Sequence, residues 1–143
     1  MSEYPIPDTS HPDFAPFWQG CLEHRLLVPA CGAGHLNWPP RPVCQVCHDC
    51  IGPWVEVNGR GRLYSWTVVH RTKAQPFSAQ VPYVVGVIEL MSTTLLRMLG
   101  RCDIDLDSAR IGLELVVDFV KIETSVTIPV WRQAGELSQI QNC

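Results

Sequence analysis

Charge is what this sequence has least of. Asp, Glu, Lys and Arg make up 17% of its 143 residues, and the formal net charge is −3, so there is no surplus of cations. A general nucleic-acid binder draws most of its affinity from neutralising phosphates with Lys and Arg, which argues against nucleic acid as the partner. Long apolar runs are missing too: none approaches the roughly 20 residues that a membrane span needs. The acidic, proline-bearing start from Met1 to Asp8 is unlike a signal peptide, and with no membrane partner indicated a cytoplasmic protein is expected. Aromatic residues are only 8%, whereas apolar residues reach 46%, a globular composition that leaves apolar surface for a partner. The length suits one ordinary domain, or a small module joined to a domain of about 80 residues or more.

One shortage is local. Cys44 and Cys47 form a complete Cys-x-x-Cys knuckle, but Cys31 begins a second knuckle in which Gly34 stands where the other thiolate belongs. Zinc takes four N or S ligands tetrahedrally, and a zinc ribbon supplies them from two facing knuckles. Two residues are candidates for the vacant position. His35 lies four residues after Cys31, across the flexible Gly32 and Gly34; Cys50 follows Cys47 at the interval by which Cys47 follows Cys44. A structural zinc on Cys31, His35, Cys44 and Cys47 is expected, with an empty, collapsed ribbon as the alternative. A redox role for the lone knuckle would want a thioredoxin-like βαβ setting that the pattern lacks. Seven cysteines, an odd number clustered at metal spacing, fit a reducing compartment better than a disulfide scaffold.

Along the chain the pattern divides into an arm with a helix (residues 1–25), a ribbon module (26–52), a β domain (53–132) and a tail (133–143). Tyr4, Pro5, Ile6, Pro7 and Pro12 predict an extended arm. Phe14, Phe17, Trp18, Cys21, Leu22 and Arg25 recur at helical spacing, which predicts a helix from about Asp13 to His24, capped by Thr9 or Ser10. Its aromatic stripe of Phe14, Phe17 and Trp18 could pack within the chain or against another subunit. From Trp54 the period becomes two: Val55 to Val69 with a bend at residues 58–61, then Tyr83 to Met91, Thr94 to Gly100, Leu113 to Glu123 and Val126 to Trp131. Ser92 and Thr93 make a turn, and 102–112 is a loop or short helical turn. Its acids Asp103, Asp105 and Asp107 lack the glycine and terminal glutamate of a Ca²⁺ loop. Five strands with a long third connection predict a small Greek-key barrel, the OB-fold; the whole is mainly β.

The aromatic helix, the cysteines around Trp38-Pro39-Pro40-Arg41, and the run Gly59-Arg60-Gly61-Arg62-Leu63-Tyr64-Ser65-Trp66-Thr67-Val68-Val69-His70-Arg71 resemble the zinc-ribbon plus OB-fold family long catalogued as domain of unknown function thirty-five. Pro82-Tyr83, Val87-Ile88-Glu89-Leu90 and Ile111-Gly112-Leu113-Glu114-Leu115-Val116-Val117 extend the resemblance over nearly the whole chain, with a departure at Gly34. The resemblance implies a rubredoxin-like ribbon, structural zinc, and a non-catalytic accessory subunit. Its partner would be a thiolase-like or lipid-transfer-protein-like catalytic subunit of an acyl-CoA thiolase or aldolase complex. The family reading makes Phe14, Phe17 and Trp18 candidates for the partner interface.

Coenzyme A, with its phosphates and adenine, calls for cations beside an aromatic surface. Arg60, Arg62, Trp66, His70, Arg71 and Lys73, on the first barrel strand and the loop after it, are the candidate lining. His70 is the one candidate base, but spacing identifies no partner for it. The competing reading is a single-stranded nucleic-acid-binding OB-fold, which would need stacked aromatics on one barrel face.

Overall fold

The computed structural model describes residues 4–92 and 95–135. It contains helix α1 (Ala15–Leu22) and strands β1 (Leu26–Cys31), β2 (Ile51–Val57), β3 (Arg60–Val69), β4 (Tyr83–Leu90), β5 (Arg97–Asp103), β6 (Glu114–Glu123) and β7 (Val126–Gln133). β1 and β2 form an antiparallel ribbon hairpin, and the other five close a barrel in the order β3-β4-β5-β7-β6. β6 returns to β3, while β5 and β7 meet in parallel only at Cys102↔Trp131 and Asp103↔Arg132. This is the five-stranded OB-fold barrel beside a zinc-ribbon hairpin, mainly β with one N-terminal helix.

Alternation explains the barrel wall. In β4, Val84, Gly86, Ile88 and Leu90 turn inward and the residues between them stay half-exposed. In β3 the alternation breaks. The register with β4 steps between Leu63 and Ser65, so Tyr64 is an extra residue. Gly61 and Leu63 are buried before the bulge, whereas Trp66 and Val68 pack on the core after it. One buried cluster joins Phe17, Cys21, Leu26 and Val28 to Leu63, Ile88, Leu115 and Trp131, so helix, hairpin and barrel share a core.

Several expectations are corrected here. The helix begins at Ala15 with Phe14 at its N-cap and no side-chain cap. Ser10 is instead engaged by Asp8, whose Oδ1 accepts from the Ser10 amide at 3.0 Å and hydroxyl at 2.6 Å, and the His11 carbonyl receives the Phe14 and Ala15 amides. The helix ends where His24 turns left-handed (φ 58°) and the Arg25 amide reaches back to the Gly20 carbonyl at 2.8 Å. The period-two stretch from Trp54 to Val69 is two strands of different sheets: β2 pairs with β1, and only β3 belongs to the barrel. β5 runs on through Cys102 and Asp103, which the sequence pattern assigns to a loop, because β7 pairs with those two residues. Leu106–Ser108 forms the short helical turn, as 3₁₀. Thr93 of the expected turn, Thr94 of the third strand and the tail beyond residue 135 lie outside the described residues.

An ion-pair chain crosses one end of the barrel. Arg132 bridges Asp118 (Nε to Oδ2, 2.7 Å) and Asp103 (3.3 Å), and Asp103 also pairs with Arg101 at 3.0 Å. Burial pulls the Asp118 carboxyl upward, but the hydrogen bond from Arg132 and the amide of Phe119 outweigh it and hold the group below the usual carboxylate range. A depressed folded-state pKa gives stability that is present above the unfolded value, about 3.9, and is lost as pH falls through the folded one. Thermal melts at falling pH check this: below about pH 4 the wild type should lose stability more steeply than Asp118→Asn, which has no charge to lose.

Candidate metal centre and ligand surface

The first hairpin brings the ribbon sulfurs together. β1 delivers Cys31 at its end, β2 begins at Ile51, and both knuckles lie on the connection between them. In the second knuckle the Cys44 amide donates to the Asp49 carbonyl at 2.8 Å, the His48 amide to the Cys44 carbonyl at 3.1 Å, and His48 is left-handed (φ 64°). In the first, the Cys31 amide donates to the His35 carbonyl at 3.0 Å, the Gly34 amide to the Cys31 carbonyl at 2.9 Å, and Gly34 is left-handed (φ 84°). The first loop thus closes one residue sooner, with its left-handed residue third after the cysteine instead of fourth. That is the geometry of a one-residue deletion, not of a cysteine replaced in place. A Cβ at Gly34 would meet nothing within 4 Å, so a side chain there projects into open space.

The deletion carries His35 to the site. The donor atoms of Cys31, His35, Cys44 and Cys47 all lie within 4.8 Å of one another, with Cys31 Sγ 3.4 Å from His35 Nδ1 and 3.7 Å from Cys47 Sγ. Tetrahedral zinc with Zn–S near 2.3 Å and Zn–N near 2.05 Å has S···N edges of about 3.5 Å and S···S edges of about 3.8 Å. The two measured separations fit those edges, and the cofactor suited to this donor set is a structural zinc. Cys50, the other candidate for the fourth position, is exposed, bridges to Val43 in the backbone, and is not among the converging donors.

Electrostatics separates these thiols from the fillers. Burial pushes Cys21 up to about 12 and Cys102 up to about 11, so both stay protonated and serve the core. Burial also pushes Cys44 up, but the amides of Cys47 and Val46 and the Asn37 side chain point at its sulfur and bring it down to about 6. Asn37 is fully buried and triply used: Nδ2 donates to the His35 carbonyl at 3.0 Å and lies 3.5 Å from Cys44 Sγ, and Oδ1 accepts the Gln45 amide at 3.0 Å. Cys47 is lowered by the Asp49 amide, yet its own burial and the neighbouring sulfurs of Cys31 and Cys44 take it up to about 11. A bound cation removes that penalty, since it replaces repulsion between thiolates with coordination. Asn37 was not singled out from sequence; a lone amide in a proline-rich turn gives no spacing signal.

The six coenzyme A candidates do not form one surface. Arg60 and Arg62 start β3, whereas His70, Arg71 and Lys73 lie in the exposed loop beyond its end, roughly 30 Å along the strand at about 3.3 Å per residue. Trp66, the intended stacking partner, is turned onto the core by the Tyr64 bulge. Tyr64 takes the outward position and is covered by Arg97, whose guanidinium carbon sits 3.7 Å from the ring centroid. Among the described residues no carboxylate or hydroxyl bonds the ring of His70. A cleft of about 410 Å³ between the start of α1 and the ribbon is lined by Pro12, Pro29, Pro40, Pro42 and Trp54, and none of the six borders it.

The aromatic stripe is largely used inside the chain. Phe17 is buried, with its ring 4.9 Å from Trp38 and 5.0 Å from Trp18, and Phe14 makes an edge contact with Trp38 at 6.0 Å. Phe17 is therefore a core residue rather than an interface residue. Phe14 and Trp18 keep half-exposed edges.

Residues 18–49 match the ChsH2 rubredoxin-like zinc ribbon domain, and residues 54–120 match the ChsH2 C-terminal OB-fold domain. A solved structure titled Ltp2-ChsH2(DUF35) aldolase superposes with a TM-score of 0.77 at 31% identity, covering 90% of this chain and 99% of that one. A probable enoyl-CoA hydratase alpha subunit from Thermomonospora curvata is 33% identical over 120 residues, 82% of this chain. This chain spans only 37% of that protein's length. A DUF35 domain-containing scaffold protein from Pyrococcus furiosus is 26% identical over 100 residues, covering 69% of this chain and 72% of that protein. The chain belongs to the ChsH2 (DUF35) family of zinc-ribbon plus OB-fold proteins. Among the described residues, no helix is long and apolar enough to cross a membrane.

Proposed function

We propose that this chain is a non-catalytic accessory subunit of an acyl-CoA enzyme, with a thiolase-like or lipid-transfer-protein-like catalytic partner acting as thiolase or aldolase. The observation that carries the reading is the end-to-end likeness to one chain of the Ltp2-ChsH2(DUF35) aldolase, which spans ribbon and barrel together. The geometry is consistent with it. The site that the sequence builds with most care is a structural metal site, and His70, the one candidate base, sits in an exposed loop where no group among the described residues orients it. Cys31, His35, Cys44 and Cys47 hold the zinc and so tie the two knuckles together at the end of the hairpin. Arg60 and Arg62 at one end of β3, and His70, Arg71 and Lys73 at the other, are separate cationic positions that could meet acyl-CoA phosphates only across a partner surface. A cytoplasmic, reducing compartment suits the free ribbon thiols.

Affinity purification from the native host with this chain as bait, followed by size-exclusion chromatography and mass spectrometry, tests the reading. Recovery of a thiolase-like chain in fixed ratio is expected, and the pair should turn over an acyl-CoA thioester that neither chain turns over alone. A catalytic chain that is fully active and monodisperse without this subunit would overturn it.

A further inference from the structure

The outer face of β3, β4 and β5 exposes apolar side chains in a defined register. Three rows cross it: Arg62–Glu89–Arg97, Ser65–Val87–Leu99 and Thr67–Val85–Arg101. Leu99 at the middle row is 74% exposed and Leu95, beyond Arg97 on the same side of the chain, is 63% exposed, the largest exposures of any leucine in the described residues. Tyr64 and Met91 at 47% and 39% add to the apolar area. The first half of β5 is also an open edge. Among the described residues β7 pairs only with Cys102 and Asp103, so residues 97–101 have no second strand.

This is the β4–β5 face, the second and third barrel strands, with which OB-folds commonly bind. Oligonucleotide-binding OB-folds stack bases on exposed rings there. Here the middle of the face is leucine and valine, and the rings at its margins, Tyr64 and Tyr83, are already covered by Arg97 and Arg101. The surface therefore suits a protein. Its cations choose which kind: Arg97 is paired with Glu89 at 3.1 Å, which leaves Arg60 and Arg62 against Glu114 beside the leucines, a local cationic excess in a chain whose net charge is −3. A second copy would set these arginines against their own equivalents, whereas an apolar patch with an acidic rim complements them.

The geometry points to the outer β3–β4–β5 face, centred on Leu99, as the surface that receives the catalytic partner through an apolar patch with an acidic rim. The partner's identity as a thiolase-like subunit rests on the function proposed above; the location of the surface does not. The open β5 edge offers that partner main-chain hydrogen bonds in addition to side-chain contacts.

The test compares Leu99→Glu and Arg62→Glu with Leu22→Glu on the exposed side of α1, each co-purified with the thiolase-like subunit and titrated against it by calorimetry. Leu99→Glu should weaken the complex by roughly 30-fold or more, as loss of a central contact does. Arg62→Glu should weaken it by roughly 10-fold, with a flatter salt dependence, and Leu22→Glu should bind like the wild type. Equal melting temperatures separate lost docking from a lost fold, and Arg62→Glu, on the surface of the wall, carries the test even if Leu99→Glu melts early. A wild-type complex that survives both variants overturns the inference while leaving the proposed function standing. So does a complex broken by Leu22→Glu alone, or a dimer of the isolated chain that only Leu99→Glu dissociates. Failure of the wild type to bind any thiolase-like chain overturns both.

Discussion

Replacing Cys44 with alanine should dissolve the ribbon while the barrel stays folded. Cys44 is the most deeply buried of the four donors, and three hydrogen-bond donors already stabilise its thiolate. Loss of that sulfur removes a metal ligand and one of the hydrogen bonds of the buried Asn37 side chain. The binding energy of a structural zinc is folding energy, and in small zinc modules it runs to about 10–16 kcal/mol. Here the hairpin also leans on Phe17, Leu26 and Val28 of the shared core, so the loss should be confined to the knuckles and the strand ends beside them. Amide hydrogen exchange should show residues 31–50 unprotected and β3–β7 little changed, and zinc content measured by mass spectrometry should fall from one per chain to near none. His35→Ala should weaken zinc by roughly 100-fold or more without that collapse, since three thiolates remain, and His35→Cys should restore binding. If chelation removes verified metal and leaves both melting and exchange unchanged, the ribbon is held by packing alone and the metal is incidental.

Legibility in the sequence followed the strength of the local pattern. The four strands β4 to β7 announce themselves as short apolar runs rich in β-branched residues, β4 with clean alternation as well, and the OB-fold expectation rests on five such runs with a long connection after the third. β1 was invisible for a physical reason: it is buried on both faces (residues 28–31 are all buried), so it does not alternate, and Pro29 interrupts it. β2 and β3 read as one stretch because both are rich in β-branched and aromatic residues with only a short bend between them, and pairing partners divide them. The metal cluster was legible down to His35, because ligand chemistry is written in residue type and spacing. Which of His35 and Cys50 completes it was not, since that depends on where a loop one residue short brings its end. The side-chain directions of the candidate ligand surface were the least legible. A single bulge at Tyr64 exchanges inside for outside in the residues after it, turning Trp66 inward and Ser65 outward, and a one-residue slip of this kind leaves no trace in composition.

The same sensitivity to a few atoms makes Trp131 the residue on which the barrel depends most. It is 1% exposed, the largest side chain among the fully buried ones, and it sits on β7 opposite Cys102, where β5 and β7 make their short parallel closure. Its indole fills the space that Gly100 leaves by having no side chain: a Cβ there would come within 2.8 Å of the ring carbon Cδ1 and 2.9 Å of Nε1. Trp131→Ala should therefore cost about 3–5 kcal/mol, because the cavity lies at a seam with few backbone hydrogen bonds to keep it from opening. Gly100→Ala approaches the same seam from the other wall and should cost about 1–3 kcal/mol by overpacking, since ring and added methyl cannot share the space. The two changes are coupled. With the indole gone the methyl has room, so the double variant should be less destabilised than the sum of the two, and urea melts of all four proteins measure the difference. Strict additivity would mean that the indole does not occupy the space beside Gly100, and that the β5–β7 seam is closed by something other than this ring.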